Sequence, residues 1–505
     1  MRRNRAVHGA LLVGVVTLSL AVEPTSVSAK PINESQGFRK AVTVEGIREH
    51  QLALQQIADA NGGNRAVGTS GYGESVDYIA DRAEAAGYDV SLDEFIYVAA
   101  FSEGSAPVLQ ETAPEPQTFV AGSRPAFDGD FVSFTGSGDV TAPVQGVDLV
   151  LPPGAAPNSS TSGCEVEDFD DFVPGNIALL QRGTCPYVQK ATLAQEAGAS
   201  AIILFNEGQP GRTAVPNNLP LGAEGIHIPG VGTSFAVGVD LSDPGTIARV
   251  KTEVLEQLGV GVNVIAESPG GDPSRTVVIG AHLDSVPAGP GINDNGSGSG
   301  GILEIAEVYA AQDRTPRNKL RFMWYGAEEI GLVGSTKYVE SLTQEEKDDI
   351  LVMLNFDMIG SPNFARYVYD GDGTIGPEGP TGSGLVEDVF VEYFASQGLF
   401  NEPTAFDGRS DYGPFIAAGI PAGGLFTGAE QPKTAAQVAQ YGGIVDAQLD
   451  PCYHAACDTF AGTGTGPGST APGLGLVALD QMSDATAHAV LFFSKTKLDV
   501  RNTPN

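Results

Sequence analysis

From about residue 275 onwards, short apolar segments alternate with segments in which apolar residues recur at helical spacing. The apolar segments lack the strict alternation of a half-exposed strand, so each predicts a strand that is buried on both faces. Such strands, separated by helices, are typical of an α/β fold whose mixed, largely parallel central sheet is covered by helices on both faces. The predicted strands are 276–280, 319–325 and 350–356, and the predicted helices are 300–311, 335–341 and 481–495.

The pattern is different before that point. Residues 40–100 alternate helical and extended segments, and they predict a helix at 75–86 followed by a strand at 88–98. From 119 to 229 short apolar segments lie among Gly, Pro, Ser and Asn, which predicts a small β-rich insert with its own core. Within this insert the predicted strands are 147–151, 177–180 and 201–205, and the predicted helix is 187–197.

The amino-terminal segment has the composition of a secretory signal peptide. Arg2, Arg3 and Arg5 precede an apolar run at 10–22 that is too short to span a bilayer, and small residues follow it before Lys30. A buried amino-terminal helix is the alternative, but it does not account for the basic cluster. We therefore predict a secreted protein, and no later apolar stretch is long enough to be a membrane span.

These patterns together divide the chain. A signal peptide at 1–29 is followed by the first part of the main domain at 30–118, the insert at 119–249 and the remainder of the main domain at 250–505. Roughly 475 residues remain after the signal, too many for one ordinary core, and this favours two domains. In the last part, the Gly/Pro/Thr-rich stretch 461–473 predicts a surface loop.

The net charge excludes one class of partner. The chain has 62 acidic and 28 basic side chains, which gives a formal charge of −34. A surface of that sign repels nucleic acid and anionic membranes. We therefore expect neither a nucleic-acid partner nor a polyanionic ligand.

Four cysteines would enter an oxidising compartment after export, where pairing is the default. Local pairing, Cys164 with Cys185 and Cys452 with Cys457, is the simplest of the three possible connectivities. A structural zinc held by cysteines is the alternative, but the sequence contains no CxxC pair to support it. We therefore predict two disulfides.

Three of the predicted strands end in side chains that can bind a metal. In covered α/β sheets, ligands bind beyond the carboxyl ends of the strands, so these side chains should meet at one edge. So many negative charges close together would destabilise the fold unless one or two divalent cations balance them. The alternative is that each is a solvated loop residue. The strand-end residues are His282, Asp284, Glu328, Glu329 and Asp357.

Two further residues extend this candidate site. Asp294 lies twelve residues past His282, before a glycine-rich helix start that would let the backbone approach a ligand. A flexible linker is the alternative reading of that stretch. His454 lies between Cys452 and Cys457, where a disulfide would fix its imidazole, although it could equally close an ordinary surface loop. The other histidines of the predicted mature chain, His50, His227 and His488, suit packing or surface roles.

Several motifs together resemble one enzyme family. "AHLDS", "GINDNGSGSGG", "YGAEEIGLVGS", "NFDMIG", "GRSDYGPF" and "CYHAACDT" occur in the order found in co-catalytic zinc aminopeptidases related to glutamate carboxypeptidase and the transferrin receptor. The likeness covers about residues 40–130 and 250–495, and it is greatest to secreted bacterial leucine-type aminopeptidases and to vacuolar aminopeptidases. The insert resembles a protease-associated (PA) domain through "GNIALLQRGTCPYVQKATLAQEAGASAIILFN".

The resemblance implies a site with two zinc ions. A cis peptide bond often follows the residue that bridges the two ions, which here is the bond between residues 294 and 295. All five metal positions are intact, unlike those of non-catalytic relatives. The implied ligands are His282 and Asp357 for one zinc, Glu329 and His454 for the other, and Asp294 as the bridge.

The resemblance also implies the roles of nearby residues. Glu328 would be the general base, and Asp284 would orient the metal-binding His282. Tyr453 resembles the residue that stabilises the tetrahedral intermediate, and Arg409 resembles a substrate-binding residue. Glu328, together with the metal ligand Asp357, would also attract the α-ammonium group of the substrate.

These observations predict a secreted metallo-aminopeptidase that acts on peptides or proteins with a free amino terminus and prefers large apolar residues such as Leu. A carboxypeptidase on the same scaffold would need a cationic pocket, and no arginine cluster supplies one. A glutaminyl cyclase of this family uses one zinc, so the presence of both His282 and Asp357 argues against it. A non-catalytic binding protein would lack ligands or base, and none is missing.

Overall fold

The computed structural model describes residues 32–124, 126–465 and 473–505. The predicted signal peptide at 1–29 lies outside the described residues. The helices are α1 Ile32–Arg39, α2 Val44–Ala60, α3 Ser70–Ala86, α4 Tyr187–Glu196, α5 Phe235–Asp240, α6 Gly296–Ala311, α7 Val333–Ser341, α8 Gln344–Asp349, α9 Ser383–Ser396, α10 Tyr412–Ala417, α11 Ala435–Tyr441, α12 Phe460–Thr465 and α13 Leu474–Lys495.

The strands form two eight-stranded sheets. They are β1 Asp89–Glu103, β2 Val108–Ala113, β3 Gln117–Thr118, β4 Phe131–Thr135, β5 Gly138–Gly146, β6 Ile177–Gln181, β7 Ala201–Phe205, β8 Gly230–Thr233, β9 Ile247–Thr252, β10 Val254–Glu267, β11 Asp272–His282, β12 Asn318–Tyr325, β13 Ile350–Phe356, β14 Tyr367–Tyr369, β15 Glu402–Thr404 and β16 Ala422–Phe426.

The main sheet has the strand order β1-β10-β12-β11-β13-β16-β14-β15. Its four central strands, from β12 to β16, are parallel, and antiparallel pairings flank them. Both faces are buried: along β11, Val277 and Ile279 pack with α2, α3 and α6, whereas Val278 packs on the opposite side with residues of α7 and α10. The predicted mixed, largely parallel sheet between helices is therefore confirmed.

Most of the predicted elements of the main domain are present. The strand 350–356 coincides with β13, and the strand 319–325 lies within β12. The predicted helix at 300–311 begins four residues earlier, at Gly296, because the side chain of Asn295 accepts a hydrogen bond from the Gly298 amide and caps it. The glycine-rich stretch is therefore the first turn of α6 and not a linker.

One local prediction is wrong, and a second is wrong over part of its range. Residues 147–151 are not a strand, because the chain turns away after β5 with Asp148 in a left-handed conformation (φ 41°). The predicted loop at 461–473 begins inside α12, which runs to Thr465, and part of the rest lies outside the described residues. An apolar segment that turns can be mistaken for a strand, and a glycine-containing helical turn can be mistaken for a loop, when composition alone is used.

The second sheet has the order β3-β2-β9-β5-β6-β7-β8-β4 and encloses separate apolar cores on its two faces. Its strands run from Val108 to Thr252, so β2 and β3 join it although they precede the predicted insert at 119–249. The predicted strands at 177–180 and 201–205 are its central pair, and the predicted helix at 187–197 is α4. This part of the chain has a sheet and core of its own.

Both predicted disulfides are present. Cys164 is bonded to Cys185 in the second sheet's domain, and Cys452 is bonded to Cys457 in the main domain. Over the described ranges, no helix combines the length and the hydrophobicity that crossing a membrane requires.

Candidate active site

The carboxyl ends of β11, β12 and β13 lie at one edge of the main sheet. His282 and Tyr325 are paired at the ends of β11 and β12, and β13 runs parallel on the other side of β11. Glu328 follows β12 within three residues, and Asp357 follows β13 directly. The convergence expected from the strand-end pattern is therefore present.

His282 lies fully buried at the centre of this edge. Its Nε2 atom is 3.2 Å from Asp294 Oδ1, 3.3 Å from Asp357 Oδ1 and 4.0 Å from Glu328 Oε2. We call the group formed by His282, Asp294 and Asp357 the inner position. Three carboxylates around one imidazole nitrogen form an anionic pocket.

His454 approaches the same aspartate from the opposite side. Its Nε2 atom is 2.9 Å from Glu329 Oε2 and 3.4 Å from Asp294 Oδ2. We call Asp294, Glu329 and His454 the outer position. The two oxygens of the Asp294 carboxylate thus face two different histidines, which is the arrangement of a bridging ligand.

Several atoms of this cluster are buried without a hydrogen-bonding partner among the described residues. Buried polar atoms are normally hydrogen-bonded, so an orphaned group of them calls for an explanation. Divalent cations bound by imidazole and carboxylate would satisfy all of them, and the donor set suits zinc. The orphaned atoms are His282 Nε2, Asp294 Oδ2, Glu329 Oε1 and Asp357 Oδ1.

The electrostatics of the cluster also favour a cation. Burial opposes protonation of His282, but the carboxylates of Asp357 and Glu328 outweigh it and hold its pKa well above the ordinary value. The neighbouring carboxylates of Asp294 and Glu329 raise the pKa of His454 to about 10. Burial raises the pKa of Glu328 well above its ordinary value. The carboxylates therefore hold protons on both histidines, and a divalent cation would replace that positive charge.

Asp284 is fully buried beside this group, and its carboxylate has partners in addition to His282. It accepts hydrogen bonds from the backbone amides of Glu328 (3.1 Å) and Glu329 (3.3 Å). Its oxygen lies 3.7 Å from His282 Nδ1, which is closer to the backbone carbonyl oxygen of Asp284, at 3.1 Å. The carboxylate thus fixes the turn that separates the two glutamates.

Arg65 was not identified from the sequence. Its side chain is fully buried and donates to the carbonyl oxygens of Pro290 (2.9 Å), Gly291 (2.8 Å) and Leu283. It therefore fixes the loop that connects β11 to the start of α6. More than 200 residues separate Arg65 from these partners, so local pattern contains no signal for it.

Two further aspartates connect the cystine loop to Asp294 and its neighbour Asn293. Asp458 accepts hydrogen bonds from the backbone amides of Asn293 (2.7 Å) and Asp294 (2.9 Å). Asp450 accepts from the side chain of Asn293 (2.6 Å) and from the amide of Cys452 (2.8 Å). The peptide bond after Asp294 is cis, as the resemblance implied. Both aspartates flank the cysteine motif, a position that could have identified them.

Ser410 supports the inner position. Its hydroxyl donates to Asp357 Oδ2 (2.8 Å) and accepts from the side chain of Asn355 (2.8 Å). Ser410 follows Arg409 in the "GRSDYGPF" motif, so the motif indicated the region but not this contact.

Arg409 and Tyr453 lie at the mouth of the site. The guanidinium of Arg409 donates to Glu430 (3.0 Å) and to the Tyr453 hydroxyl (3.3 Å). The Tyr453 ring stacks on His454 with centroids 3.8 Å apart. A pocket opens beside them, and its apolar wall includes Met358, Tyr369, Ala405 and Phe426.

The sequence matches two described families. Residues 263–466 match peptidase family M28, and residues 144–241 match the PA domain. Both matches agree with the resemblance inferred from the motifs, and the second falls within the domain built on the second sheet.

Named relatives match over most of their length. An aminopeptidase of Pseudomonas aeruginosa is 45% identical over 84% of this chain and 78% of its own. Leucine aminopeptidase 2 of Trichophyton equinum is 36% identical over 90% of this chain and 88% of its own. The solved structure of BSAP, a zinc aminopeptidase from Bacillus subtilis, is similar in fold, with a TM-score of 0.50, 24% identity, and coverage of 89% and 94% of the two chains.

Proposed function

Because this chain is an aminopeptidase of peptidase family M28 with a PA domain, we propose that it releases amino-terminal residues from peptides with two zinc ions and Glu328 as general base. The observation that carries the proposal is the position of Asp294, whose two carboxylate oxygens face His282 at 3.2 Å and His454 at 3.4 Å. An aspartate shared by two histidines is suited to bridge two cations.

The inner position would hold one zinc ion and the outer position the other. When bound, the two ions would supply Lewis acidity that lowers the pKa of water to about 7 and polarises the scissile carbonyl. The orphaned oxygen and nitrogen atoms of both positions support this assignment, and so does the similarity in fold to a zinc aminopeptidase from Bacillus subtilis.

Glu328 is the residue best placed to move protons. Its carboxylate is nearly buried, and its Oε2 atom lies 4.0 Å from His282 Nε2 of the inner position. Asp284 holds its backbone amide. It would take a proton from the attacking water and pass it to the leaving amine. Burial favours the protonated carboxyl, which makes Glu328 a stronger base than an exposed glutamate.

Tyr453 and Arg409 would act on the carbonyl side of the substrate. Burial raises the pKa of Tyr453, so its hydroxyl keeps a proton that it can donate to the developing oxyanion. Arg409 donates to the same hydroxyl and holds the ring at the pocket mouth. Tyr453 would thus stabilise the transition state, and Arg409 would position it and contact substrate.

The pocket supports a preference for large apolar residues. Met358, Tyr369 and Phe426 provide an apolar wall next to Glu328 and Asp357, whose charges would attract an α-ammonium group. Arg409 is the one arginine or lysine among the described residues of this pocket, and it is already paired with a carboxylate. A terminal carboxylate would find no free partner there.

A comparison of two substrates tests this function. We expect rapid hydrolysis of Leu-p-nitroanilide and no hydrolysis of its N-acetylated form, because the carboxylates must bind a free ammonium group. Comparable rates on both substrates, or release of residues from the carboxyl end of an amino-blocked peptide, would contradict the aminopeptidase mechanism. Lys- and Ala-p-nitroanilide serve as controls for side-chain preference.

Export of the protein is part of the same proposal. The two disulfides support it, because such bonds persist in oxidising compartments and are rare in the cytosol. Protein recovered from the culture medium should begin at Lys30. A full-length chain retained in the cytosol would contradict export.

A further inference from the structure

A second group of metal-capable side chains lies between α2 and α6, apart from the catalytic edge. His50 of α2 faces Glu304 and Glu307 of α6, which are three residues apart and therefore share one face of the helix. The His50 Nε2 atom lies 3.8 Å from an oxygen of each glutamate. One ligand atom from each of the three residues lies within 4.8 Å of the others.

The imidazole of His50 is buried, and only one of its two ring nitrogens has a hydrogen-bonding partner among the described residues. Its side chain is 1% exposed, and its Nδ1 atom is hydrogen-bonded to the Tyr78 hydroxyl at 2.8 Å. The Nε2 atom has no hydrogen-bonding partner among the described residues and points at the two carboxylates. A buried nitrogen in this position calls for a ligand.

The surrounding charges do not balance. Arg82 forms ion pairs with Glu307 (2.6 Å) and Glu49 (2.9 Å). Glu304 accepts a hydrogen bond from the Thr43 amide (3.3 Å), which brings no full positive charge. Three carboxylates therefore share one guanidinium, and the excess is two negative charges.

We propose that His50, Glu304 and Glu307 bind one divalent transition-metal cation of the zinc class. An imidazole ligand favours zinc-like cations over calcium or magnesium, and carboxylates complete a mixed nitrogen and oxygen set. Ligand atoms of a tetrahedral zinc site lie roughly 3.4 Å apart, so two flexible glutamate side chains close the gap with small movements. Arg82 holds both oxygens of Glu307, with Nε on Oε1 (2.6 Å) and Nη2 on Oε2 (2.8 Å). Binding therefore requires Oε2 to exchange Nη2 for the cation while Nε stays on Oε1, and water fills the remaining coordination.

The cation would join α2 to α6. The two helices pack together, and α6 begins two residues after Asp294, the proposed bridge of the catalytic site. Glu304 lies eight residues past Gly296, or about 12 Å along the helix at 1.5 Å per residue. Glu307 and Arg82 also line a groove at the surface. The site would hold α6 in place without contacting substrate.

Anomalous scattering from crystals of the full exported protein grown with zinc tests this directly. Data collected above and below the zinc edge should show a peak between His50 Nε2 and the two glutamates, distinct from any peak beside His282. No peak there overturns the inference, whatever the catalytic site holds. A missing peak beside His282 would instead contradict the proposed function.

Metal content of two matched variants gives a second test. After equilibration with zinc and desalting, we expect His50→Gln to hold one zinc equivalent fewer than the wild-type protein. His227→Gln, which changes an exposed histidine of the insert, should hold the wild-type amount. Equal zinc content in His50→Gln and wild type overturns the inference. The scattering experiment uses wild-type protein and stands even if His50→Gln does not fold.

Discussion

The inner and outer positions share Asp294 but differ in how the fold holds their histidines. His282 ends a central strand and is fully buried, so the sheet itself determines where its imidazole lies. His454 lies in a loop closed by Cys452 and Cys457, has a left-handed backbone (φ 54°), and keeps 41% of its side chain exposed.

The difference shows that two parts of one site can be held in place by different kinds of structure, a packed sheet and a cross-linked loop. The inner position depends on strand register and core packing, which many residues determine together. The outer position depends on one disulfide and on the hydrogen bonds of Asp450 and Asp458. We therefore expect that changes to the loop weaken the outer position selectively, whereas the inner position responds to changes near the strand ends.

The largest effect on activity should come from replacing one of two adjacent glutamates, because Glu328 is the proposed base and Glu329 is a proposed zinc ligand. We expect Glu328→Ala to lower kcat by roughly 10²–10⁴-fold while both catalytic zinc ions stay bound, because it removes the base and no ligand. Steady-state kinetics and zinc analysis on the same preparation check this. The matched variant Glu329→Ala should lose zinc from the outer position. Substantial turnover by Glu328→Ala would exclude Glu328 as the base.

A fall in pH should destabilise the fold through His488, a buried histidine that lies outside the candidate active site. Burial, with Arg39 nearby, lowers the pKa of His488 to about 4, so the unfolded chain binds a proton first as the pH falls below 6.5. The stability contributed by neutral His488 is complete above pH 6.5. About 3 kcal/mol of it should be lost by pH 4, at 1.36 kcal/mol per pKa unit.

Urea unfolding of metal-free protein between pH 4 and 7 measures this loss. Metal-free protein is used because its two site histidines have raised pKa values and stay protonated throughout this range. His488→Gln should show a shallower loss of unfolding free energy than the wild-type protein, and His227→Gln should match the wild type. Identical pH profiles for all three proteins would show that His488 does not cause the loss.

The two disulfides offer a matched test of the outer position. Replacing Cys452 and Cys457 by serine should weaken zinc binding at that position roughly 10–100-fold, because the ligand loses its supporting structure. Activity should fall at limiting zinc and recover with excess zinc. The double variant of Cys164 and Cys185 should lose stability in the insert, by roughly 2–4 kcal/mol, with unchanged zinc affinity. Equal zinc affinity in both double variants would contradict the claim that the Cys452–Cys457 disulfide supports the outer position.

Replacing Ser410, which supports the inner position, should have a smaller effect on zinc binding. Ser410→Ala removes the hydroxyl that donates to Asp357 Oδ2, and we expect roughly tenfold weaker zinc binding there. Competition with a chromogenic chelator measures the change. Ser242→Ala, in the insert, is the control. A loss confined to the outer zinc would contradict the assignment of Asp357 to the inner position.

Much of the main domain could be predicted because its strands are continuous apolar runs. β13 coincides with its prediction, and the strand-end residues meet because parallel strands bring their carboxyl ends to one edge. The start of α6 was misplaced because Gly296 and its neighbours have low helix propensity, and the side chain of Asn295 caps the helix regardless.

The supporting contacts of the site could not be predicted in the same way. Arg65 bonds to a loop more than 200 residues away, and Ser410 reaches Asp357 across 53 residues. Such contacts arise from tertiary packing, which leaves no periodic signal in the sequence. The motifs identified the side chains that face the proposed cations, and the structure was needed to identify the residues that hold them.

Removal and return of zinc test the central claim most directly. Protein stripped with a chelator and freed of it should not hydrolyse Leu-p-nitroanilide, and its activity should return in proportion to zinc added back to the catalytic positions. Full activity in protein shown by elemental analysis to hold no metal would contradict the account.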